Sequence, residues 1–317
     1  MRILLSRTDS IGDVILTLPM AGVLKKALPQ AQISFLGKSY TRAIVQHCAF
    51  VDNFYEWDEE DPLTIPADVI IHVLPRSAIS RWAKKQKIPQ RIGTSHRLFH
   101  WTTCNHLINL GRKNSNLHES QLNLQLLQPL LKQFNHSLSE IPNYYGWKPP
   151  QQPWDKFGHR LASNKFNLLL HPKSKGSAKE WPLRHYLSLA KQLNPQKFQI
   201  LITGTAQEGE QIKAECPDIF SLPQVRDTTG AFSLPEFIDF ISYADGLIAC
   251  STGPLHIAAA SGIYALGLYP SQRPMHAGRW GPLGKKANYI EASYARISDD
   301  LADISVEEVA DRVSNWK

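Results

Sequence analysis

The chain has 317 residues and is 43% hydrophobic, which is enough for two domains of roughly 150 residues with sizeable cores. Its N-terminal apolar run is too short for a signal peptide, and no segment approaches the roughly 18 apolar residues of a membrane span. The four cysteines are scattered, which favours a reducing cytoplasm and argues against a zinc site or a disulfide framework. We therefore expect a cytoplasmic protein.

The net charge of +7 is uneven, with +6 on residues 1–150 and +1 on residues 151–317. The stretch Arg76–His118 contains nine lysines and arginines, four histidines and no acidic residue. This bias indicates an anionic partner, such as a nucleic acid, a phospholipid surface or an acidic substrate. The alternative is a basic surface that is simply solvated and has no partner. Arg76, Arg81 and Arg97 are the candidate anion-binding residues of this stretch.

Strands and helices alternate in the first half, which predicts a parallel sheet. The predicted strands are Arg2–Ser6, Ile33–Leu36, Asp52–Trp57, Val69–Val73 and a short segment at 91–93. Helical spacing of apolar residues predicts helices over Val14–Leu24, Tyr40–His47, Ser80–Lys87 and Leu117–Phe134. Residues 94–116 show no regular pattern, and the proline-rich stretch 137–154 is the predicted linker.

The alternation restarts in the second half. Predicted strands are Asn167–His171, Phe198–Thr203, Leu247–Cys250 and Ala265–Tyr269. Predicted helices are Pro182–Leu193, Ala206–Glu215, Phe237–Tyr243 and Pro254–Ala260, followed by a final helix capped at Ser305–Glu308. We therefore expect an α/β protein with two Rossmann-like domains, 1–150 and 151–317, facing across a cleft. The final helix could complete the second domain or pack back on the first.

Gly12 and Asp13 lie where the first strand ends and a helix begins. In open α/β sheets, ligands bind beyond the carboxyl ends of the strands. The first-turn amides of the helix favour the Asp13 carboxylate, and Gly12 leaves the turn open to an approaching ligand. The alternative interpretation of Asp13 is a helix cap without a further role.

Three loops at strand ends in the second half suit a nucleotide diphosphate. Lys173, Ser174, Lys175 and Lys179 offer cations and hydroxyls to phosphates, although the loop is not a P-loop and could simply be solvated. Glu208 could accept hydrogen bonds from a ribose or be a first-turn helix acid. In the third loop, backbone amides and hydroxyls at a helix start form a candidate anion site, in which His256 could bind phosphate or simply pack. The residues of this third loop are Ser251, Thr252, Gly253, Pro254 and His256.

The chain resembles the family 9 glycosyltransferases, the ADP-heptose:lipopolysaccharide heptosyltransferases, over nearly its whole length. The resemblance is carried by Gly12-Asp13 with Pro19, Lys179-x-Trp181-Pro182, Gly204 with Glu208, Thr252-Gly253-Pro254-x-His256-x-Ala258-Ala259-Ala260 and Arg279-x-Gly281-Pro282. It implies the GT-B arrangement, with the nucleotide sugar on the C-terminal domain and the acceptor on the N-terminal one. It also implies inversion at the anomeric carbon, with no metal and no cofactor.

The resemblance also assigns roles to individual residues. Asp13 matches the catalytic base, Lys179 the lysine on the donor's phosphates and sugar, and Glu208 the acid on the ribose. Thr252, Gly253 and His256 match the pyrophosphate loop. Ser251 departs from the family, which commonly has an acid there that contacts the donor sugar, so the identity of the sugar stays open.

The expected function is transfer of a heptose or related sugar from an ADP-sugar to a lipopolysaccharide core acceptor. The basic stretch Arg76–His118 would then steer the anionic glycolipid and touch the inner leaflet of the membrane. Two alternatives remain, a different nucleotide-sugar donor and a non-catalytic paralogue that binds sugar nucleotides. A Rossmann dehydrogenase is disfavoured because G-x-G-x-x-G is missing, and no module pattern indicates a nucleic-acid partner.

Overall fold

The computed structural model describes residues 1–61, 63–293 and 301–316. The chain divides into two compact units, Met1–Lys148 and Pro149–Lys317. This division falls inside the proline-rich stretch 137–154.

The first unit contains a six-stranded parallel sheet with helices between the strands. Its strands are β1 (Arg2–Ser6), β2 (Gln32–Gly37), β3 (Asn53–Glu56), β4 (Val69–His72), β5 (Gln90–Thr94) and β6 (His106–Ile108). Its helices are α1 (Ile11–Ile15), α2 (Pro19–Ala27), α3 (Arg42–Gln46), α4 (Ser77–Lys85), α5 (Leu98–Thr103) and α6 (Glu119–Gln125). The strand order is β3-β2-β1-β4-β5-β6.

The central strands of this sheet are buried because helices cover it. Ile3, Leu4 and Leu5 of β1 are buried without alternation, as is typical of parallel strands. Helix α4 presents Ile79 and Trp82 to the same core as Leu4. This packing fixes the start of α4, and therefore Arg76, relative to the sheet.

Three sequence predictions for the first unit need correction. The helix predicted over Val14–Leu24 is two helices, because Pro19 cannot donate a backbone hydrogen bond and begins α2 instead. The helix predicted over Leu117–Phe134 ends at Gln125. Leu126 and Leu127 lie in the turn that follows it and Leu131 lies in irregular chain, and all three are buried. The stretch 94–116, predicted to be irregular, contains α5 and β6, which are too short to show a period.

The second unit repeats this architecture. Its strands are β7 (Phe166–His171), β8 (Phe198–Ile202), β9 (Val225–Asp227), β10 (Gly246–Cys250), β11 (Tyr264–Tyr269) and β12 (Ala287–Glu291). Its helices are α7 (Leu183–Gln192), α8 (Ala206–Glu215), α9 (Leu234–Tyr243), α10 (Gly253–Ser261), α11 (Ala277–Trp280) and α12 (Val306–Ser314). The order is β12-β11-β10-β7-β8-β9, and all pairs are parallel. The edge strands β9 and β12 were not predicted from the sequence, because they carry few buried residues.

Counted from its own first strand, each sheet has the order 3-2-1-4-5-6 that defines the Rossmann fold. The predicted α/β class with two Rossmann-like units is therefore confirmed. The strand order reverses between β1 and β4 in the first unit and between β7 and β10 in the second. Ligands of such sheets bind beyond the carboxyl ends of these strands.

The C-terminal helix α12 packs on the second unit. Val306, Val309 and Val313 join the same core as Trp181, and Trp316 stacks on Tyr264 at a centroid distance of 5.1 Å. Ser305 accepts a hydrogen bond from the Glu308 amide at 3.1 Å, which confirms the predicted cap. Within the described part of the chain, no helix combines the length and the apolar character needed to cross a membrane.

Candidate active site

Asp13 lies just beyond the carboxyl end of β1, at the point where the strand order of the first sheet reverses. Ser6, the last residue of β1, lies between Leu36 of β2 and His72 of β4. Asp13 occupies the first turn of α1, and about one fifth of its side chain is exposed (19%). The carboxylate is therefore held near the protein surface at the predicted ligand-binding edge.

Two neighbours hold the Asp13 carboxylate. Arg7 Nη2 donates to one oxygen and the Ser10 hydroxyl donates to the other. Ser10 precedes the helix, but its hydroxyl is used on Asp13 rather than on a backbone amide. Asp13 is consequently oriented by side chains on the loop that follows β1, and not merely by the helix end.

Arg7 is the centre of a buried charge network. Its side chain is only 4% exposed, and it also donates to Asp9 at 2.8 and 3.1 Å and to Glu119 at 3.1 Å. Arg112 donates to the same Glu119 carboxylate and reaches Asn123 Oδ1 at 3.1 Å. Such a buried cation is tolerated because several carboxylates surround it.

The network shifts the pKa of its members. Burial lowers the pKa of Arg7, but the carboxylates of Asp13, Asp9 and Glu119 outweigh it and raise that pKa above its usual value. Burial raises the pKa of Asp9, the Asp13 carboxylate adds to this, and Arg7 opposes it. Arg7 therefore stays charged, and the network supplies a fixed positive group next to Asp13.

Arg7, Asp9 and Glu119 were not predicted as site residues from the sequence. Arg7 and Glu119 are 112 positions apart, so no local pattern could pair them. The signal that was available is Arg7 itself, an arginine placed directly after a buried strand and six residues before Asp13.

The candidate acceptor-binding residues occupy two different settings. Arg76 and Arg97 are exposed and immediately precede α4 and α5, beyond the carboxyl ends of β4 and β5. They share with Asp13 the same edge of the first sheet. Arg81 lies in the middle of α4, where it lines a shallow pocket of about 270 Å³ with Trp57 and Glu59. Neither Arg76 nor Arg97 lines this pocket.

In the second unit, the loop that follows β7 holds the predicted lysines. Lys175 is exposed at the tip, where it adopts a left-handed backbone with a φ of 50°. Lys179 is half-buried, two residues before Trp181, which is 1% exposed and donates to the Ile304 carbonyl at 2.9 Å. The buried tryptophan therefore anchors the loop end that carries Lys179.

Lys173 and Ser174 are engaged within this loop. Lys173 Nζ lies 3.0 Å from Glu215 and 3.5 Å from Glu180. The Ser174 hydroxyl donates to the Ala178 carbonyl at 3.0 Å and to Glu180 at 2.9 Å. These contacts shape the loop and compensate the charge of Lys173.

Glu208 is the third residue of helix α8 and closes a capping box. One of its carboxylate oxygens accepts from the Thr205 amide at 2.7 Å and from the Thr205 hydroxyl at 2.9 Å. The side chain is 5% exposed. Nearby, His171 Nδ1 lies 3.0 Å from the Thr203 hydroxyl, and burial lowers the pKa of His171 to about 4, so this ring is neutral at pH 7.

The loop after β10 forms the start of helix α10. Ser251 contacts the hydroxyl of buried Tyr269, and Thr252 is the cap residue. The first amides of α10, from Gly253 onward, have no acceptor within the helix by its geometry, and Pro254 lacks an amide hydrogen. His256, one turn in, is 4% exposed.

Thr252 is the most informative residue of this loop. Its Oγ1 atom is buried, and no hydrogen-bond partner for it exists within the described parts of the chain. A buried hydroxyl left unpaired costs about 1–3 kcal/mol, so such a group is a candidate ligand contact. β10 adjoins β7, and their loops therefore meet at the strand-order reversal of the second sheet.

No group of three or more His, Cys, Asp or Glu side chains suited to hold a metal ion occurs among residues 1–61, 63–293 and 301–316.

The chain was compared with known proteins. A candidate glycosyltransferase from Haemophilus influenzae is 27% identical over 314 residues, covering 91% of this chain and 88% of the relative. A family 9 glycosyltransferase structure from Veillonella parvula superimposes with a TM-score of 0.81 at 19% identity, covering 99% of this chain and 96% of that one. The structure of the ADP-heptose lipopolysaccharide heptosyltransferase II of Escherichia coli superimposes with a TM-score of 0.73 at 18% identity, covering 100% of this chain and 98% of that one.

These solved structures show that the fold is shared. Membership of a family is shown by a model of the family's sequences. The model of glycosyltransferase family 9 (heptosyltransferase) matches residues 76–302, which include the candidate residues of the second unit. The chain therefore belongs to glycosyltransferase family 9, the heptosyltransferase family, and is a transferase.

Proposed function

We propose that the protein transfers a heptose or a related sugar from an ADP-sugar to an anionic lipopolysaccharide core acceptor, with inversion and without a metal. Family membership supports sugar transfer. The Escherichia coli neighbour is an ADP-heptose lipopolysaccharide heptosyltransferase, which supports the donor and acceptor classes. The second unit would bind the donor and the first unit the acceptor.

The unpaired hydroxyl of Thr252 carries the donor part of this proposal. It lies at the start of α10, where backbone amides and the helix dipole favour a negative group. A diphosphate oxygen would give the hydroxyl its missing partner. Lys179, on the loop after β7, would add a cation on the donor phosphates, and Glu208 would accept from the ribose.

Asp13 is proposed as the catalytic base. As the acceptor oxygen attacks the anomeric carbon, its proton passes to Asp13, the new glycosidic bond forms, and the bond to the donor's phosphate oxygen breaks with its electron pair leaving on ADP. Arg7 and Ser10 keep the carboxylate in one orientation during this step. Lys179, the Thr252 hydroxyl and the α10 amides would stabilise the charge that grows on the diphosphate.

Two features of the proposal concern specificity. Ser251 stands where the family commonly has an acid, so its hydroxyl would contact the donor sugar without a charge. Gly12, Arg76 and Arg97 would receive the acceptor, whose phosphates and carboxylates suit exposed arginines. An acceptor anchored in a membrane implies that the enzyme works at the cytoplasmic face of the inner membrane.

The substitution Thr252→Val tests the donor site, because valine keeps the shape and removes only the hydroxyl. Calorimetric titration with ADP-heptose should show about tenfold weaker binding, the equivalent of one lost hydrogen bond to a charged group. Thr252→Ser keeps the hydroxyl and should bind nearly as well as the native protein. Parallel titrations with UDP- and GDP-sugars identify the nucleotide. If the valine variant bound every donor as tightly as the native protein does, the phosphate role of Thr252 would be refuted.

A further inference from the structure

Helix α5 carries two apolar side chains that the fold leaves in solvent. Leu98 is 88% exposed and Trp101 is 63% exposed. They are three residues apart and therefore lie on the same side of the helix, whereas His100 and Thr103 are buried on the other side. The exposed side of α5, which Leu98 and Trp101 share with Thr102, thus carries two large apolar side chains where a surface helix is normally polar.

Trp101 is held in position although it is exposed. Its Nε1 donates to the Ser95 carbonyl at 2.9 Å, which fixes the indole while its ring remains open to solvent. Leu98 is the first residue of α5 and contributes little buried area. Because solvent exposure of these groups is unfavourable, an external apolar surface would stabilise them.

Cations border these two residues. Exposed Arg97 directly precedes Leu98, and exposed Lys84 of α4 donates to the Thr102 carbonyl, next to Trp101, at 2.9 Å. No acidic residue occurs anywhere in Arg76–His118. We call Lys84, Arg97, Leu98 and Trp101 the α5 patch.

We propose that the α5 patch is the element that docks the enzyme on an anionic lipid bilayer. Leu98 enters the boundary of the acyl chains, the Trp101 ring lies at the level of the headgroups, and Arg97 and Lys84 bind lipid phosphates. A leucine that projects beside a tryptophan suits lipid better than a nucleic acid, to which it offers nothing polar. This inference rests on the proposed function, because a membrane-anchored acceptor gives the docking its purpose.

The test is co-sedimentation of the full chain with vesicles of phosphatidylethanolamine and phosphatidylglycerol, with phosphatidylcholine vesicles as reference. The native protein should bind the anionic vesicles and lose binding as salt is added. Leu98→Ser should weaken the binding about tenfold, and Arg97→Glu at least about fivefold. Trp101→Ser should also weaken it, but Leu98→Ser is the primary variant because Leu98 makes no contact that α5 needs.

Matched controls lie elsewhere on the first unit. Leu138 is 42% exposed and Lys132 is exposed, so Leu138→Ser repeats the Leu98 substitution and Lys132→Glu repeats the charge reversal outside the patch. Both should bind vesicles like the native protein. The inference is overturned if the native protein does not bind anionic vesicles, or if Leu98→Ser and Leu138→Ser bind equally. Preferential binding of RNA that Leu98→Ser abolishes, with no vesicle binding, would also overturn it.

A second measurement separates this inference from the proposed function. Transfer from ADP-heptose to a lipid-free core oligosaccharide, without vesicles, should be the same for Leu98→Ser and the native protein. Absence of transfer by the native protein, together with the expected vesicle binding, would refute the proposed function and leave the docking surface standing.

Discussion

Lys173 and Lys179 lie in the same loop after β7, and only Lys179 matches the family's lysine on the donor phosphates. Lys179 ends the loop beside the anchored Trp181, and Lys173 lies 3.0 Å from Glu215 and 3.5 Å from Glu180. A lysine that already holds two carboxylates has less attraction left for a phosphate.

Lys179→Ala should therefore weaken ADP-heptose binding by about tenfold or more and also slow transfer, because a charge-assisted contact to the diphosphate is lost. Lys173→Ala is the matched control and should change donor affinity by less than about threefold. Both expectations are tested by dissociation constants from calorimetry and by initial rates of transfer, measured for the two variants. The phosphate role of Lys179 would be wrong if its variant bound the donor normally.

The positions of individual residues at strand ends were predictable, whereas their roles stay predictions. Asp13 and Thr252 are examples, because the end of a buried strand is visible in the sequence. Lys173 and Ser174 were predicted as donor contacts from their loop at a strand end and its composition, and the structure shows them bonded to Glu215, Glu180 and Ala178. Such pairings depend on the folded loop and could not be predicted from spacing.

At the level of elements, β4 and α5 together bury a titratable group. His72, the last residue of β4, is 1% exposed and lies 5.4 Å from the His100 ring of α5. Burial lowers the pKa of His72 to about 3, with His100 and Arg91 adding to the effect. Because its pKa is lower in the folded state than in the unfolded one, His72 favours folding above pH 6.5, and this contribution is lost as the pH falls toward 3.

His72→Leu should therefore make the first unit more resistant to acid. Between pH 7 and pH 5 the native protein should lose about 2 kcal/mol of stability through this group, and the leucine variant should lose correspondingly less. Hydrogen exchange of the β4 amides at the two pH values measures the difference. His106→Leu, on edge strand β6, is the control. Identical losses in all three proteins would contradict this account.

Elements with a continuous buried apolar run or a capping box were predictable, and short elements without either signal were not. The buried strands β1, β7 and β10 have continuous apolar runs, and the box Ser233–Glu236 correctly marked the start of α9. α5 and β6 span six and three residues, too few to show a period. The leucines of 117–134 suggested one long helix because leucines that are buried outside a helix can, by their positions in the sequence, show the same spacing as leucines on one helix face.

For the whole molecule, the alternation of strands and helices predicts parallel sheets, and the right-handed rule for crossovers leaves few strand orders, of which both units have the Rossmann order. The family was predictable from an ordered set of motifs along the chain, and the family model matches residues 76–302. The identity of the donor sugar could not be predicted from the sequence, since the residue that would contact the sugar is Ser251 rather than an acid. That identity depends on the shape of the bound complex.

The central claim is that Asp13 takes the proton of the acceptor hydroxyl as that oxygen attacks the nucleotide sugar. Its most direct test is acceptor-dependent ADP release by Asp13→Asn, with donor affinity measured in parallel and Asp68→Asn as a surface control. Asparagine keeps the shape of the side chain but cannot take a proton. We expect unchanged ADP-heptose affinity and a turnover reduced by about 10²–10⁴-fold, the value of a positioned base. Unchanged turnover of Asp13→Asn would contradict the account.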